Sequence, residues 1–209
     1  MSSPDAVAGG SADDARAAAV VAEVQIVPLG DCPRSLLEVL AAQLSRHVGV
    51  ACRVLADTVP SHDLPSLAGR EQLDAHALLQ RLESLPRAAP PGAVRLGLTT
   101  RDIGLAVFSF VFGLAHTDDG RVAVVSLARL DPTFYGLAPD PGATARRALG
   151  EMLHELGHVA GLQHCIAPDC VMRFAGTVEK ADARGAAFCD PCRAHLPHWL
   201  RPRARTAPD

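Results

Sequence analysis

Residues 154–165 of this 209-residue chain read HELGHVAGLQHC, and most of the functional information in the sequence lies in and just after this stretch. The pattern H-E-x-x-H places His154 and His158 one turn apart on the same face of a helix, so both imidazoles can reach one metal ion. Glu155 lies about 100° further round the helix, where its carboxylate can meet a water beside the metal without ligating the ion. The spacing predicts a zinc site on a helix.

A third histidine extends the motif to H-E-x-x-H-x-x-G-x-x-H. His164 follows His158 by six residues, so a straight helix cannot bring both to one face and the chain must turn between them. Gly161 can supply this turn, because glycine adopts a positive φ at little cost. Three neutral imidazoles leave a fourth tetrahedral position open, which is typical of a catalytic zinc site. The alternative is a helix with surface histidines and a glycine cap.

Four of the six cysteines fall within 28 positions directly after the third histidine, namely Cys165, Cys170, Cys189 and Cys192. Thiols in two short-spaced pairs are typical of a closed structural zinc site. Disulfides and a redox-active C-x-x-C pair are the alternatives. The first residues lack the positive charge of a secretion signal, so we expect a cytoplasmic protein with reduced thiols. We interpret Cys32 and Cys52 as small buried apolar residues.

Composition limits the possible functions. The chain carries 20 basic and 23 acidic residues, a net charge of −3, so no strong global field attracts nucleic acid or an anionic membrane. Hydrophobic residues make up 48% of the chain, enough for one buried core, and no apolar run is long enough to span a bilayer. We expect a disordered tail at residues 1–22, one domain at residues 23–200, and a basic tail at residues 201–209.

The apolar pattern predicts an α/β fold with a mixed sheet. Strands are predicted at residues 24–29, 50–55, 93–98, 107–114 and 121–127, and helices at residues 33–48, 71–85 and 142–162. Asp140 followed by Pro141 predicts the start of the long helix. The TDDG sequence at residues 117–120 predicts a hairpin turn between the last two strands. We expect residues 107–114 to form a sheet edge that pairs with an extended peptide.

The run HELGHVAGLQHC, the later Cys170, Val171 and Met172, and the still later CDPC resemble the archaemetzincin family of zinc peptidases. Weaker similarity extends to QIVPLG, FVFGLAH and VVSLARLDP. The resemblance implies a single compact metzincin-like domain, with a twisted mixed sheet, an active-site helix and a C-terminal zinc-bearing segment. It also implies that Met172 is the Met-turn residue beneath the catalytic zinc.

The resemblance assigns the individual site residues as well. It implies that His154, His158 and His164 bind the catalytic zinc and that Glu155 is the general base. The second zinc would be bound by the four clustered cysteines, Cys165, Cys170, Cys189 and Cys192.

The function we predict is a zinc-dependent peptidase that hydrolyses peptide bonds with zinc-activated water. It would contain two Zn²⁺ per chain, act on a peptide or protein substrate as a monomer, and have neither nucleic-acid nor membrane partners. One alternative is a zinc-stabilised binding protein with little or no turnover. Another is a nucleic-acid module built on the four cysteines, against which an aromatic content of only 4% argues.

Overall fold

The architecture is a mixed sheet with helices on both faces. The computed structural model describes residue 21 and residues 23–86, 92–116 and 121–201. In chain order the elements are β1 (Glu23–Leu29), α1 (Arg34–Ser45), β2 (Ala51–Val54), β3 (Leu73–Asp74), α2 (Ala75–Ser84), β4 (Val94–Thr99), β5 (Ile103–Leu105), β6 (Phe108–Val111), β7 (Gly113–Ala115), β8 (Val122–Ser126), α3 (Pro141–Val159), α4 (Val178–Arg184) and α5 (Asp190–Ala194). Short 3₁₀ segments lie at Ser61–Asp63, Ala128–Leu130, Pro132–Tyr135 and His198–Leu200.

The main sheet has five strands in the order β2-β1-β4-β8-β7. The first four are parallel, and β7 pairs antiparallel with β8 at the edge, with Gly113 opposite Val125. Side chains of β8 alternate between the two faces. Ala123 and Val125 join the apolar cluster that contains α1 and α3, whereas Val122 and Val124 join the cluster that contains α2. The mixed α/β fold predicted from the sequence is confirmed.

The long helix α3 begins where the sequence predicts. Pro141 is its first residue, and the Asp140 side chain caps it by accepting a hydrogen bond from the Ala143 N–H at 2.9 Å. The helix ends at Val159, and Gly161 follows in the left-handed region at φ 89°. The chain therefore leaves the helix by the turn that the third histidine requires. No helix in the described ranges is both long and apolar enough to cross a bilayer.

The single strand predicted at residues 107–114 is wrong in one respect, because the chain divides it between two sheets. β6 belongs to a three-stranded sheet of order β3-β5-β6, whereas β7 belongs to the main sheet. Phe112 lies between them and is buried in the cluster of α1 and α3, while the neighbouring Val111 packs against the cluster of α2. The two halves pair with different neighbours, since Val111 lies opposite Ile103 of β5 and Gly113 lies opposite Val125 of β8, so the strand breaks between them.

Other boundaries differ from the sequence prediction by a few residues. The helix predicted from residue 71 begins at Ala75, because Asp74 accepts hydrogen bonds from the N–H groups of His76 and Ala77 and caps it. The short elements β3, β5, α4 and α5 are absent from the prediction because two to seven residues are too few to show a period. The predicted turn at residues 117–120 and nearly all of both predicted tails lie outside the described residues.

Candidate active site and structural metal site

Three histidine side chains converge on one point. The Nε2 atom of His158 lies 3.1 Å from Nε2 of His154 and 3.3 Å from Nε2 of His164. A tetrahedral zinc with Zn–N distances of about 2.0–2.1 Å separates its ligand nitrogens by about 3.3 Å. The spacing of the three nitrogens therefore fits a shared zinc ion. His154 is buried and His164 is exposed, so the group opens to solvent on the side of His164.

Hydrogen bonds on the far side of two rings select the tautomer that a metal needs. Nδ1 of His154 donates to the Val171 carbonyl at 2.7 Å, and Nδ1 of His158 donates to the Leu162 carbonyl at 2.9 Å. With the proton on Nδ1, each Nε2 carries a lone pair. Two lone pairs that face each other at 3.1 Å cannot form a hydrogen bond, but both can bind one cation.

The same two rings are held in the neutral state. Burial and, to a smaller extent, the positive charge of Arg184 lower the pKa of His154 to about 3. Burial also lowers the pKa of His158. Neutral imidazole is the form that ligates zinc, so the electrostatics agree with the hydrogen bonds.

Glu155 is buried beside this group and lies against the edge strand. A Cβ atom on Gly113 of β7 would lie 2.6 Å from Oε1 of Glu155, so only glycine allows the carboxylate this position without a shift. Within the described ranges, the side chains close enough to share an ion here are the three histidines and do not include Glu155. Burial raises the pKa of Glu155 well above its usual range, and the nearby Glu151 carboxylate adds to the increase.

Met172 lies against the helix that carries the first two histidines. Its side chain is fully buried, and a Cβ atom on Gly157 would overlap the Met172 sulfur. Gly157 lies between His154 and His158 in the sequence, so the thioether packs against the part of α3 that carries these two histidines. This agrees with the position that the resemblance implied for Met172.

The four clustered cysteines also come together. The Sγ atoms of Cys165 and Cys189 are 3.7 Å apart. A tetrahedral zinc with Zn–S distances of about 2.3 Å separates its sulfurs by about 3.8 Å, whereas a disulfide bond measures about 2.05 Å. All six cysteines of the chain lie in the described ranges and are unbridged. The geometry therefore fits a closed zinc site and does not fit the disulfide alternative.

Comparison with known proteins places the chain in a family. The profile of peptidase family M54 matches residues 68–198. The archaemetzincin of Pyrococcus furiosus is 35% identical over 181 residues, which cover 84% of this chain and 92% of that protein. The archaemetzincin of Methanocaldococcus jannaschii is 35% identical over 180 residues, which cover 85% of this chain and 94% of that protein.

The chain belongs to peptidase family M54, the archaemetzincins.

Solved structures support the fold of this archaemetzincin. A zinc-dependent peptidase from Methanocorpusculum labreanum aligns with a TM-score of 0.73 and 28% identity, over 83% of this chain and 99% of that one. The archaemetzincin of Archaeoglobus fulgidus aligns with a TM-score of 0.69 and 32% identity, over the same shares of the two chains. By family the protein is therefore a zinc-dependent metallopeptidase with the fold that the resemblance implied.

Two other polar side chains, those of His116 and Tyr135, have hydrogen-bond partners outside the histidine group. His116 follows β7, and its Nδ1 atom is 2.5 Å from the Glu83 carboxylate on α2. The Tyr135 hydroxyl donates to the Arg129 carbonyl at 3.1 Å. Each has a structural partner.

Two further residues that contact the site, Glu151 and Arg184, were not predicted from the sequence. Gly113 lies on the predicted sheet edge at residues 107–114 and within the FVFGLAH stretch, but neither signal connects it to Glu155. Glu151 lies one helical turn before Glu155, but Arg184 is 30 residues from His154, and no local pattern connects it to the motif.

Proposed function

We propose that this archaemetzincin hydrolyses peptide bonds at a zinc ion held by His154, His158 and His164, with Glu155 as general base. We further propose that the four cysteines, Cys165, Cys170, Cys189 and Cys192, hold a second, structural zinc. One observation carries the catalytic proposal: two neutral imidazoles face each other through their lone pairs at 3.1 Å beside a buried carboxylate. Such an arrangement supports a shared cation, with a carboxylate beside it that can serve as the base.

Different groups of the protein have different roles in the proposed hydrolysis. A bound zinc supplies polarisation of the scissile carbonyl and lowers the pKa of water. The three imidazoles would hold the ion through Nε2, and the Val171 and Leu162 carbonyls keep two of the rings in the orientation that this requires. Glu155 accepts the proton of the attacking water and then passes a proton to the leaving amine.

The edge strand supports binding of an extended peptide. β7 is the last strand of the main sheet, and it pairs with β8 on one side. A peptide that adds to its other side would form main-chain hydrogen bonds, which is a recurring mode of peptide recognition. Because Gly113 lies against Glu155, a peptide paired there would pass beside the proposed base.

The test measures zinc content and cleavage of a broad peptide library on the same samples of wild type and Glu155→Gln. We expect two zinc ions per chain in both proteins, and a cleavage rate about 10²–10⁴-fold lower in the variant, because the glutamine amide cannot accept the proton. Glu38→Gln, which removes an exposed carboxylate on α1, serves as control and should cleave like wild type. Equal rates for Glu155→Gln and wild type would exclude this base. A wild type that binds peptides without cleaving any would favour the binding-protein alternative.

A further inference from the structure

A buried ion pair lies directly behind the first histidine. Glu151 of α3 and Arg184, the last residue of α4, are 2% and 3% exposed and form a salt bridge. Removing two such charges from water costs roughly as much as their attraction returns, so a buried pair is weak evidence of a stabilising role. The contacts of this ion pair indicate a different role.

The Arg184 guanidinium uses two nitrogens for two partners. Nη2 donates to Glu151, while Nη1 donates to the Arg173 carbonyl at 2.7 Å. Nη1 also lies 3.1 Å from Nδ1 of His154. Since the Nδ1 hydrogen is directed to the Val171 carbonyl, this last approach is a packing contact between guanidinium and ring, not a hydrogen bond.

These contacts connect the ion pair to the turn that orients His154. Val171 and Arg173 are neighbours of Met172 in one short turn, so a guanidinium that holds the Arg173 carbonyl also limits movement of the Val171 carbonyl. Glu151 in turn holds the guanidinium against α3. The backbones are close here, because a Cβ atom on Gly150 would lie 3.2 Å from the Gly185 carbonyl oxygen.

We propose that Glu151 and Arg184 are positioning residues of the three-histidine site: they fix the His154 ring and the Val171 carbonyl relative to each other and so set the affinity of this site for metal. The inference rests on the metal site of the proposed function but not on peptide hydrolysis.

A second ion pair between the same two helices provides a matched control. Arg147 of α3 binds Asp182 of α4, with Nε 2.7 Å from Oδ1. The remaining hydrogen bond of Arg147 goes to the Leu130 carbonyl, and among the described residues the pair forms no hydrogen bond with a histidine. Its loss should weaken the contact between α3 and α4 without changing the metal site.

The test is cobalt binding to the metal-free protein, followed by absorption spectroscopy and chelator competition. The absorption bands from thiolate-to-cobalt charge transfer report cobalt binding at the four-cysteine site. The weaker bands in the visible region report cobalt binding at the histidine site. In the double variant Glu151→Leu with Arg184→Met, both charges are absent and no lone buried charge remains. We expect its histidine site to bind cobalt about 10–100-fold more weakly, with unchanged affinity at the cysteine site. Arg147→Met should match wild type at both sites.

A conservative variant keeps the proposal testable if the double variant does not fold. Arg184→Lys retains the charge but offers one nitrogen where arginine uses two, so we expect about tenfold weaker cobalt binding at the histidine site. The proposal would be overturned if either variant bound cobalt at the histidine site with the affinity and the visible absorption bands of the wild type. Equal loss of cobalt from both sites would also overturn it, because the Glu151–Arg184 pair would then stabilise the whole segment that carries the two sites. A wild type that binds cobalt at both sites but cleaves no peptide would contradict only the peptidase proposal.

Discussion

The three-histidine group and the four-cysteine group are adjacent in the sequence, but different kinds of structure hold their side chains in place. His154 and His158 lie on the 19-residue helix α3, and backbone carbonyls hold both rings from behind. The cysteines lie mainly in irregular chain. Cys189 precedes the five-residue helix α5, and Cys192 lies within it.

This difference separates the expected roles of the two metals. Packing and hydrogen bonds orient the histidine rings, so a metal bound there would add chemistry to a site that is already formed. Segments around the cysteines have little regular structure to hold them, so a metal bound there would contribute directly to folding. The two groups are nevertheless connected, because Cys165 follows His164 and Cys170 precedes Val171, whose carbonyl orients His154.

The largest effect should come from Cys189→Ser. We expect loss of the second zinc and a melting temperature lower by more than about 10 °C, because structural zinc supplies folding free energy to this segment. Metal analysis and thermal unfolding measure both effects. Cys52→Ser, in strand β2 and apart from the cluster, should retain both metals. Two zinc ions in Cys189→Ser would contradict the assignment of this site.

His158→Gln should remove the first metal and leave the second. Only two histidines would remain to hold the ion, so we expect one zinc per chain and no measurable cleavage, with a melting temperature within a few degrees of wild type. His47→Gln, two residues after the end of α1, is the control, since Nδ1 of His47 is hydrogen-bonded to the Gln43 carbonyl. A large loss of stability in His158→Gln would show that metal at the histidine group also contributes to folding, as expected only for the cysteine group.

Gly113→Ala should affect the rate of cleavage and not the metal content. The added methyl would lie 2.6 Å from Glu155 Oε1, so either the carboxylate or β7 must shift. We expect kcat to fall by about tenfold or more, because displacement of a catalytic group by a fraction of an ångström removes alignment with the substrate. Steady-state kinetics and zinc analysis measure this together. Unchanged kcat would mean that Glu155 tolerates the shift.

The smallest effect should come from Asp140→Ala, at the distant end of α3. Loss of the cap costs about 1 kcal/mol, which lowers the melting temperature by about 2–4 °C in a domain of this size. Both zinc ions and the cleavage rate should remain, because the histidines proposed to bind metal lie more than three turns further along the helix. A substantial loss of zinc would show that the start of the helix also controls the histidine group.

The sequence by itself determined the features that depend on local spacing. The H-E-x-x-H pattern places His154 and His158 on one helix face because a helix repeats every 3.6 residues. The start of α3 follows from Asp140 and Pro141, and the turn before His164 follows from Gly161. These are preferences of neighbouring residues, which act before any tertiary contact forms.

Only the tertiary structure decided what depends on which surfaces meet. Residues 107–114 have the pattern of one strand, but Val111 pairs with β5 and Gly113 pairs with β8, which divides the strand between two sheets. The contact between Gly113 and Glu155 joins residues 42 positions apart, and Arg184 reaches His154 across 30 positions. A linear pattern carries no information about such contacts, because they are set by the packing of α3 against β7 and α4.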